Sequence, residues 1–290
     1  MRRTSFLFLL PLSTRICIAV ACLFASAQIL RAADATISAA RLDATGILTH
    51  DVESPFQAGK TSIRVLLPTK RNPDERFPVI YVLPVEARDE SRYGNGLAEI
   101  LKHDLHNKHR AVFVAPTFSH LPWYADHPTN ELIRQESYFI NVVVPFIDKT
   151  YPVKTDRDGR HLLGFSKSGW GAWTLPLRHP DRFGNAAAWD APLNKDKPNQ
   201  FGMGDIFGTQ ENFEKYQVTK LIASQAEKLG PEPRLILLGY DNFRDHHEVV
   251  RKQLLDLKIP HIYRDGPKRQ HIWGSGWVPE AVELLLPTSP

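Results

Sequence analysis

The chain of 290 residues is poor in cysteine and carries no apolar run long enough to span a bilayer. Its two cysteines, Cys17 and Cys22, both lie near the N-terminus, so a chain cut after residue 33 has neither a disulfide framework nor thiol chemistry. The first 33 residues contain four arginines and no acid. Beyond them, 32 basic residues stand against 32 acidic ones, from totals of 36 and 32. This balance gives no support for binding to nucleic acid or to an anionic membrane surface.

The first 33 residues follow the order of a secretory signal. Arginines flank two apolar runs at 6–12 and 16–24, and small residues follow up to Ala27 and again up to Ala33. Each apolar run is shorter than the roughly 20 residues that cross a bilayer, which favours a cleaved signal over a membrane anchor. We therefore predict a signal peptide at 1–33, cut after Ala27 or Ala33, and an exported protein, periplasmic or secreted, with no stable membrane span after cleavage.

Residues 34–290 read as one domain, without internal repeats or low-complexity linkers. The segments 46–52 and 62–68 predict two antiparallel strands. The unbroken apolar runs at 78–84 and 111–116 predict strands that are covered on both faces. Further strands are predicted at 185–189, 234–239 and 261–263, and helices at 97–105, 130–149, 167–178, 218–229, 246–258 and 279–286, whereas 193–217 reads as irregular. This alternation predicts an α/β fold, a doubly wound and mostly parallel sheet with an antiparallel N-terminal edge.

The stretch 161–171 reads as a strand that turns sharply into a helix, with Ser166 at the apex. Gly164 stands two residues before the serine, as a nucleophile elbow requires. Ser168 replaces the second glycine of the G-x-S-x-G pattern, and its small side chain is compatible with the turn. Helix capping is the alternative role for Ser166, but the partners that follow it in the chain favour a nucleophile.

An acid and a histidine follow Ser166 at strand ends, where doubly wound sheets carry their active residues. A serine hydroxyl needs a neutral imidazole to take its proton, and the imidazole needs a carboxylate to hold its tautomer. His271, after the last strand, is the predicted base. Asp241, after the strand at 234–239, is the preferred acid, with Asp190 as the main alternative and Asp245 as a third candidate.

The oxyanion formed on attack needs backbone N–H donors. One donor is predicted from Lys167, the residue after the nucleophile, and the other from Val85 or Glu86, in the loop after the strand at 78–84. Pro84 has no N–H to donate. The Glu86 carboxylate is unfavourable beside a developing negative charge unless it turns away or is paired.

Four aromatic residues are candidates to bind the substrate. Trp123 and Tyr124 lie in a long loop after a central strand, where packing beneath the loop is an equal alternative. Trp170 lies on the elbow helix, and Trp273 follows the predicted base. His246 and His247 lack the partners of a metal site, and no metal is predicted.

These segments together resemble the "Putative esterase" family of α/β-hydrolases, which includes feruloyl and acetyl-xylan esterases, S-formylglutathione hydrolases and mycolyltransferases. The resemblance covers about residues 47–287 and rests on 77–83, the elbow, the Arg-His-Pro-Asp-Arg-Phe-Gly run at 178–184, and 266–273. It implies an α/β-hydrolase fold and a serine carboxylesterase that needs no cofactor. The implied substrates are acyl or aromatic esters, either small molecules or linked to a polysaccharide.

The chain departs from the family pattern at Ser168 and at Pro84-Val85, where relatives usually carry a His-Gly pair. Two other functions therefore stay open. An acyltransferase uses the same triad with a sugar or lipid hydroxyl in place of water. A non-catalytic hydrolase-fold protein would bind a carbohydrate or a partner, which the two departures favour and the serine, acid, histidine order opposes.

Overall fold

The computed structural model describes Met1 and residues 35–286. Residues 35–286 fall within one compact unit. The predicted signal peptide at 1–33, apart from Met1, lies outside the described residues, and both the signal and its cleavage site stay predictions. In the part of the chain that is described, no helix has the length and apolar character needed to cross a bilayer.

One sheet of ten strands organises the described residues. The strands are β1 (Thr36–Ile37), β2 (Arg41–Leu42), β3 (Leu48–Glu53), β4 (Thr61–Leu66), β5 (Val79–Val82), β6 (Val112–Pro116), β7 (Arg160–Phe165), β8 (Ala186–Trp189), β9 (Leu235–Leu238) and β10 (His261–Arg264). The helices are α1 (Gly96–Lys102), α2 (Leu105–Lys108), α3 (Gln135–Tyr138), α4 (Val144–Thr150), α5 (Ser166–Arg178), α6 (Met203–Phe207), α7 (Gln210–Glu214), α8 (Val218–Leu229), α9 (Arg244–Asp256) and α10 (Val278–Leu285). A π-helical segment, Phe139–Val143, joins α3 to α4.

The strand order β1-β3-β4-β6-β5-β7-β8-β9-β10 gives the sheet two parts. Strands β1 to β4 form an antiparallel edge in which β2 pairs with β3, and β4 pairs antiparallel with β6. The neighbouring strands from β6 through β5 and β7 to β10 are all parallel. The predicted doubly wound sheet with its antiparallel N-terminal edge is therefore confirmed.

Alternation along the central strands explains their unbroken apolar sequences. In β5, Val79 and Tyr81 join the core on one face of the sheet, whereas Ile80 and Val82 join the core on the other face. Successive strand side chains point to opposite faces, and helices cover both. A strand in this position must be apolar at every residue, as β5 is.

Three predicted elements differ from the structure. The segment 34–45, for which the sequence predicts neither strand nor helix, contains β1 and β2, because its backbone pairs with β3. The helix predicted from residue 130 begins at Gln135, since Ile133 and Arg134 form bridges with Gln57 and Asp126 instead. The segment 193–217 contains α6 and α7 rather than irregular chain only.

Candidate active site

The elbow between β7 and α5 places Ser166 in a left-handed backbone conformation, with φ of +52°. A Cβ at Gly164 would lie 2.3 Å from the backbone oxygen of Ser168, so only glycine allows the strand and helix to approach this closely. Ser168 is fully buried. Its Oγ donates to the carbonyl of Phe165 at 2.8 Å and accepts from the N–H of Phe165 at 3.0 Å. Ser168 therefore closes the turn instead of acting as a second nucleophile.

His271 lies between Ser166 and a carboxylate. Its Nε2 is 3.0 Å from Ser166 Oγ, and its Nδ1 forms a short hydrogen bond with Asp190 Oδ2. The loop after β10 carries the histidine, and Asp190 directly follows β8. Serine, imidazole and carboxylate thus form one continuous hydrogen-bonded line, with each side chain at the carboxyl end of a parallel strand.

The environment of Asp190 keeps its carboxylate charged. Burial by itself raises the pKa of Asp190, but the hydrogen bond from His271 and backbone hydrogen bonds outweigh burial, so that the pKa falls below its ordinary value. Asp190 Oδ1 accepts from the N–H groups of Asn242 and Phe243, each at 2.8 Å. A charged carboxylate at Nδ1 orients the ring so that Nε2 faces Ser166 as an acceptor.

The sequence-based preference for Asp241 as the partner of His271 is wrong in this structure, which pairs His271 with Asp190. The Asp241 carboxylate points elsewhere, with Oδ1 at 3.2 Å from Lys268 Nζ. After β9, the chain turns across the end of β8 and offers backbone N–H groups to Asp190. The third candidate, Asp245, is exposed on α9.

The loop after β5 lies on the opposite side of the elbow from the acid. Among described residues, the backbone N–H groups of Lys167, Val85 and Glu86 have no hydrogen-bond acceptor, which is what an oxyanion hole requires of its donors before substrate binds. The Glu86 carboxylate accepts the N–H of Tyr93 at 3.2 Å. The Glu86 carboxylate is therefore hydrogen-bonded, as its position near a developing negative charge requires.

Tyr124 braces this loop from the core. It is fully buried, and its hydroxyl donates to the Pro84 carbonyl at 2.7 Å. A Cβ at Gly171 would lie 2.1 Å from the Tyr124 ring, so this close approach depends on glycine in α5. The Pro84 carbonyl and the Val85 N–H belong to one planar trans peptide and point in opposite directions. The hydroxyl that holds the carbonyl thus also fixes the direction of the Val85 N–H.

A cleft of about 360 Å³ opens over Ser166 and His271. The remaining lining residues are Tyr93, Lys167, Pro192, Phe201, Asn242 and Phe243. The three aromatic residues of this lining are not distinguished by the sequence, because they lie on loops without a regular pattern. A signal was nevertheless present: each of the three loops follows a strand of the parallel sheet at its carboxyl end.

The four aromatic residues predicted to bind substrate do not line this cleft. Trp123, Tyr124 and Trp170 are fully buried, and Trp273 is 3% exposed. Trp123 packs edge-on against Trp170 at 5.9 Å between ring centroids, and Trp273 packs against Phe165. The structure shows the alternative for Trp123 and Tyr124, which is packing beneath the loops. All four aromatic residues thus belong to the core that supports the site.

Histidines 246 and 247 have structural partners. His247 is buried, and its Nε2 accepts the N–H of Ala191 at 3.0 Å. His246 Nδ1 accepts the N–H of Asn194 at 3.0 Å. Burial lowers the pKa of His247 to about 4, so it is neutral near pH 7. Within the described ranges, no group of three or more potential metal ligands is found.

Comparison with known proteins finds similarity to esterases. A family model described as "Putative esterase" matches residues 54–235. Two proteins of Mycobacterium tuberculosis, named Esterase Rv1288 and Esterase MT1326, are each 25% identical over 136 residues, covering 46% of this chain and 29% of the relative. The match thus spans less than a third of the length of these curated relatives.

Two solved structures share the fold. The Staphylococcus aureus S-formylglutathione hydrolase FrmB superposes with a TM-score of 0.66 at 15% identity, over 83% of this chain and 98% of that chain. A ferulic acid esterase superposes with a TM-score of 0.62 at 22% identity, over 82% and 95%. The similarity confirms the expected α/β-hydrolase fold.

Proposed function

The chain belongs to the "Putative esterase" family, and from this premise we propose that it hydrolyses carboxylic esters through an acyl-enzyme on Ser166. The family match covers residues 54–235 and confirms the resemblance found in the sequence. The observation that carries the proposal is His271, whose two ring nitrogens contact Ser166 and Asp190. This line of contacts supplies the base and the orienting carboxylate that a serine nucleophile needs.

In the proposed reaction, Ser166 Oγ attacks the ester carbonyl carbon while His271 Nε2 takes the hydroxyl proton. The tetrahedral intermediate collapses, the bond to the alcohol oxygen breaks, and His271 passes its proton to the departing alcohol. Water then attacks the acyl-enzyme with His271 again as base, which releases the carboxylic acid and restores Ser166. Asp190 stays ionised throughout and stabilises the imidazolium that forms twice in each cycle.

The backbone N–H groups of Lys167 and of Val85 or Glu86 are the proposed donors to the oxyanion. Their lack of other acceptors among the described residues supports this role. Pro84 leaves the loop one N–H fewer than a non-proline residue would. The brace from Tyr124 to the Pro84 carbonyl supports a fixed orientation of the next N–H.

A covalent probe tests the nucleophile directly. A fluorophosphonate should label the purified protein, intact mass should rise by one adduct, and peptide mapping should place the adduct on Ser166. Ser166→Ala should abolish labelling, whereas Ser224→Ala, at an exposed serine on α8, keeps the elbow unchanged and serves as a folded control. Well-folded protein that remains unlabelled would contradict catalysis and favour the non-catalytic alternative.

Acyl transfer is the second reaction that this triad supports, because an acceptor hydroxyl can replace water. The cleft over Ser166 is open enough, at about 360 Å³, to admit either. Product analysis with a simple acyl ester and increasing concentrations of an acceptor alcohol separates them. Hydrolysis predicts free acid as the main product at all acceptor concentrations, and transfer predicts a new ester.

The natural substrate class and the location are also proposals. We infer an acyl or aromatic ester, small or carried on a polysaccharide, and export through the predicted signal at 1–33. An aromatic acid is in line with the fold relative that is a ferulic acid esterase. Fractionation of cells that express the full chain, with N-terminal sequencing of the exported form, tests both export and cleavage.

A further inference from the structure

The Lys167 side chain has no role in the proposed chemistry, to which only its backbone N–H contributes. It is half-buried and lines the cleft beside Ser166 and His271. Its ammonium lies 5.7 Å from the centroid of the Tyr93 ring. Among the described residues, it makes no hydrogen bond or ion pair with a carboxylate. A partly desolvated ammonium without an anionic partner, beside a nucleophile, is a group that a ligand can pair.

Two further cations lie against aromatic walls of the same cleft. The Arg92 guanidinium is 5.1 Å from the centroid of the Tyr93 ring, the wall that Lys167 also contacts. Lys195 Nζ lies 6.0 Å from the centroid of Phe201, another lining residue. These cations make the potential at the cleft more positive, and low-dielectric aromatic walls screen it less than water does.

The carboxylates near the cleft offset this charge only in part. Asp241 pairs with Lys268, whereas Asp190 and Glu86 remain as two negative charges against the three cations, because a neutral His271 orients Asp190 without neutralising it. Glu86 accepts a backbone N–H from Tyr93 and forms no ion pair with Lys167. The Glu86 charge nevertheless acts on Lys167 without direct contact. Burial lowers the pKa of Lys167, the negative charge of Glu86 opposes that shift, and the positive charge of Arg92 adds to it.

We propose that the Lys167 ammonium is an anion subsite, which selects esters carrying a carboxylate near the scissile bond. The inference rests on the proposed esterase function and specifies its substrate class. A neutral ester would leave the ammonium partly desolvated and unpaired, whereas a carboxylate supplies a charge-assisted hydrogen bond. Aromatic walls on either side accommodate the apolar part of such an ester.

Two probe pairs test the subsite on each side of the scissile bond. On the acyl side, the monoester of adipic acid with 4-nitrophenol is compared with 4-nitrophenyl hexanoate. On the alcohol side, 4-acetoxybenzoate is compared with 4-acetoxybenzamide. The wild-type protein should prefer the charged member of at least one pair in kcat/KM. Lys167→Gln should lower that preference about tenfold, chiefly through KM, as expected for one lost charged hydrogen bond.

Two variants control for general effects of the substitution. Lys167→Arg retains the charge and should retain the preference. Lys149→Gln removes a lysine from the last turn of α4, at the opposite end of the sheet from the cleft, and should not change the ratio. An unchanged ratio in Lys167→Gln, or a wild-type preference for the neutral member of both pairs, overturns the subsite.

A binding measurement separates this proposal from the esterase proposal. In Ser166→Ala, which cannot turn over ester, the charged member of at least one of the two pairs should bind more tightly than its neutral counterpart by calorimetry. Adding Lys167→Gln should remove the difference, and raising the salt concentration should reduce it. If the wild-type protein hydrolyses none of the four esters while Ser166→Ala still discriminates by charge, the esterase function alone is refuted. Equal binding of the charged and neutral members of both pairs to Ser166→Ala would refute the anion subsite alone.

Discussion

Replacing Asp190 by asparagine should abolish turnover while leaving the fold intact. Asp190 Oδ1 accepts two backbone N–H groups, from Asn242 and Phe243. An asparagine in this place must keep its oxygen on those donors, since the opposite orientation would set its NH₂ group against both. The amide nitrogen then faces His271 Nδ1 and donates to it, which requires an unprotonated Nδ1. The proton moves to Nε2, which can no longer accept one from Ser166.

The size of the effect follows from this wrong tautomer. In a serine protease, the equivalent change of an acid to asparagine lowers kcat by about 10⁴-fold, which corresponds to about 5.4 kcal/mol of activation free energy. We expect a loss of the same order in Asp190→Asn. Asp241→Asn removes a half-exposed ion pair with Lys268, worth about 0 to 1 kcal/mol of stability, and turnover should stay within about twofold of wild type.

The assay compares the two asparagine variants on 4-nitrophenyl acetate. Initial rates give kcat and KM, and thermal unfolding by circular dichroism verifies that each variant is folded. The rate of fluorophosphonate labelling gives a second readout, because it depends on the Ser166 hydroxyl and its base but not on deacylation. Asp190→Asn should be slow in both measurements.

The reverse ranking would refute the assignment. If Asp241→Asn lost turnover while Asp190→Asn retained it, the loop after β9 would have to rearrange in solution to present its carboxylate to His271. If both variants stayed active, the tautomer argument itself would fail. A third possibility, unfolding of Asp190→Asn, is detected by the thermal scan, and the turnover of Asp241→Asn then tests the assignment by itself, because its loss would identify Asp241 as the partner of His271.

Three further predictions concern the supports of the site. Tyr124→Phe removes the brace on the Pro84 carbonyl, so kcat should fall by about tenfold or more with KM little changed, because a full oxyanion donor is worth about 10²–10³. Gly164→Ala sets a Cβ 2.3 Å from the Ser168 backbone oxygen, and should lower thermal stability by about 1–3 kcal/mol and suppress probe labelling. Glu136, in α3, accepts hydrogen bonds from His179 and Arg178 at the C-terminal end of α5. Burial raises the pKa of Glu136, but these hydrogen bonds outweigh burial and lower the pKa from 4.5 to about 2. The charged Glu136 therefore stabilises the fold fully above pH 4.5 and loses this effect as pH falls toward 2. The difference in urea unfolding free energy between wild type and Glu136→Gln should accordingly shrink from pH 5 to pH 3.

The parallel sheet was predictable because its signals are local. Every residue of β5 is apolar, and the proline, turn and helix signals around each strand fixed the order of elements. Ser166 was equally predictable from the sequence, since Gly164 and the strand before it form one short motif. Chain order then sufficed to propose His271, because the loop after the last strand offers few other candidates.

The choice between the two acids depended on geometry that no local pattern reveals. Asp190 and Asp241 both follow strands of the sheet, and both precede His271 in the chain. What distinguishes them is how the loop after β9 turns across β8, which brings the N–H groups of Asn242 and Phe243 to the Asp190 carboxylate. Those donors come from residues with no distinctive side-chain signature, so the sequence alone favoured the wrong strand end.

The cleft aromatics failed to emerge from the sequence for a related reason. A tryptophan such as Trp123 gives the same signal whether it lines a cleft or packs beneath a loop, and the loop here covers it completely. Tyr93, Phe201 and Phe243 are exposed to the cleft only because three separate loops meet over Ser166. Long-range loop packing decides which aromatic residues face substrate, and composition does not encode it.

The departure at Pro84-Val85 bears on whether the hydrolase machinery is intact. Pro84 has no N–H, but its carbonyl remains, and the Tyr124 hydroxyl donates a hydrogen bond to that carbonyl. Tyr124 itself sits at a φ of +56° and fits against α5 because Gly171 has no side chain. A strained tyrosine and a permissive glycine are thus both arranged around one peptide of the loop. A non-catalytic binding protein would not need this peptide to be held in one orientation. An oxyanion donor at Val85 would need it, because the direction of its N–H depends on that peptide plane.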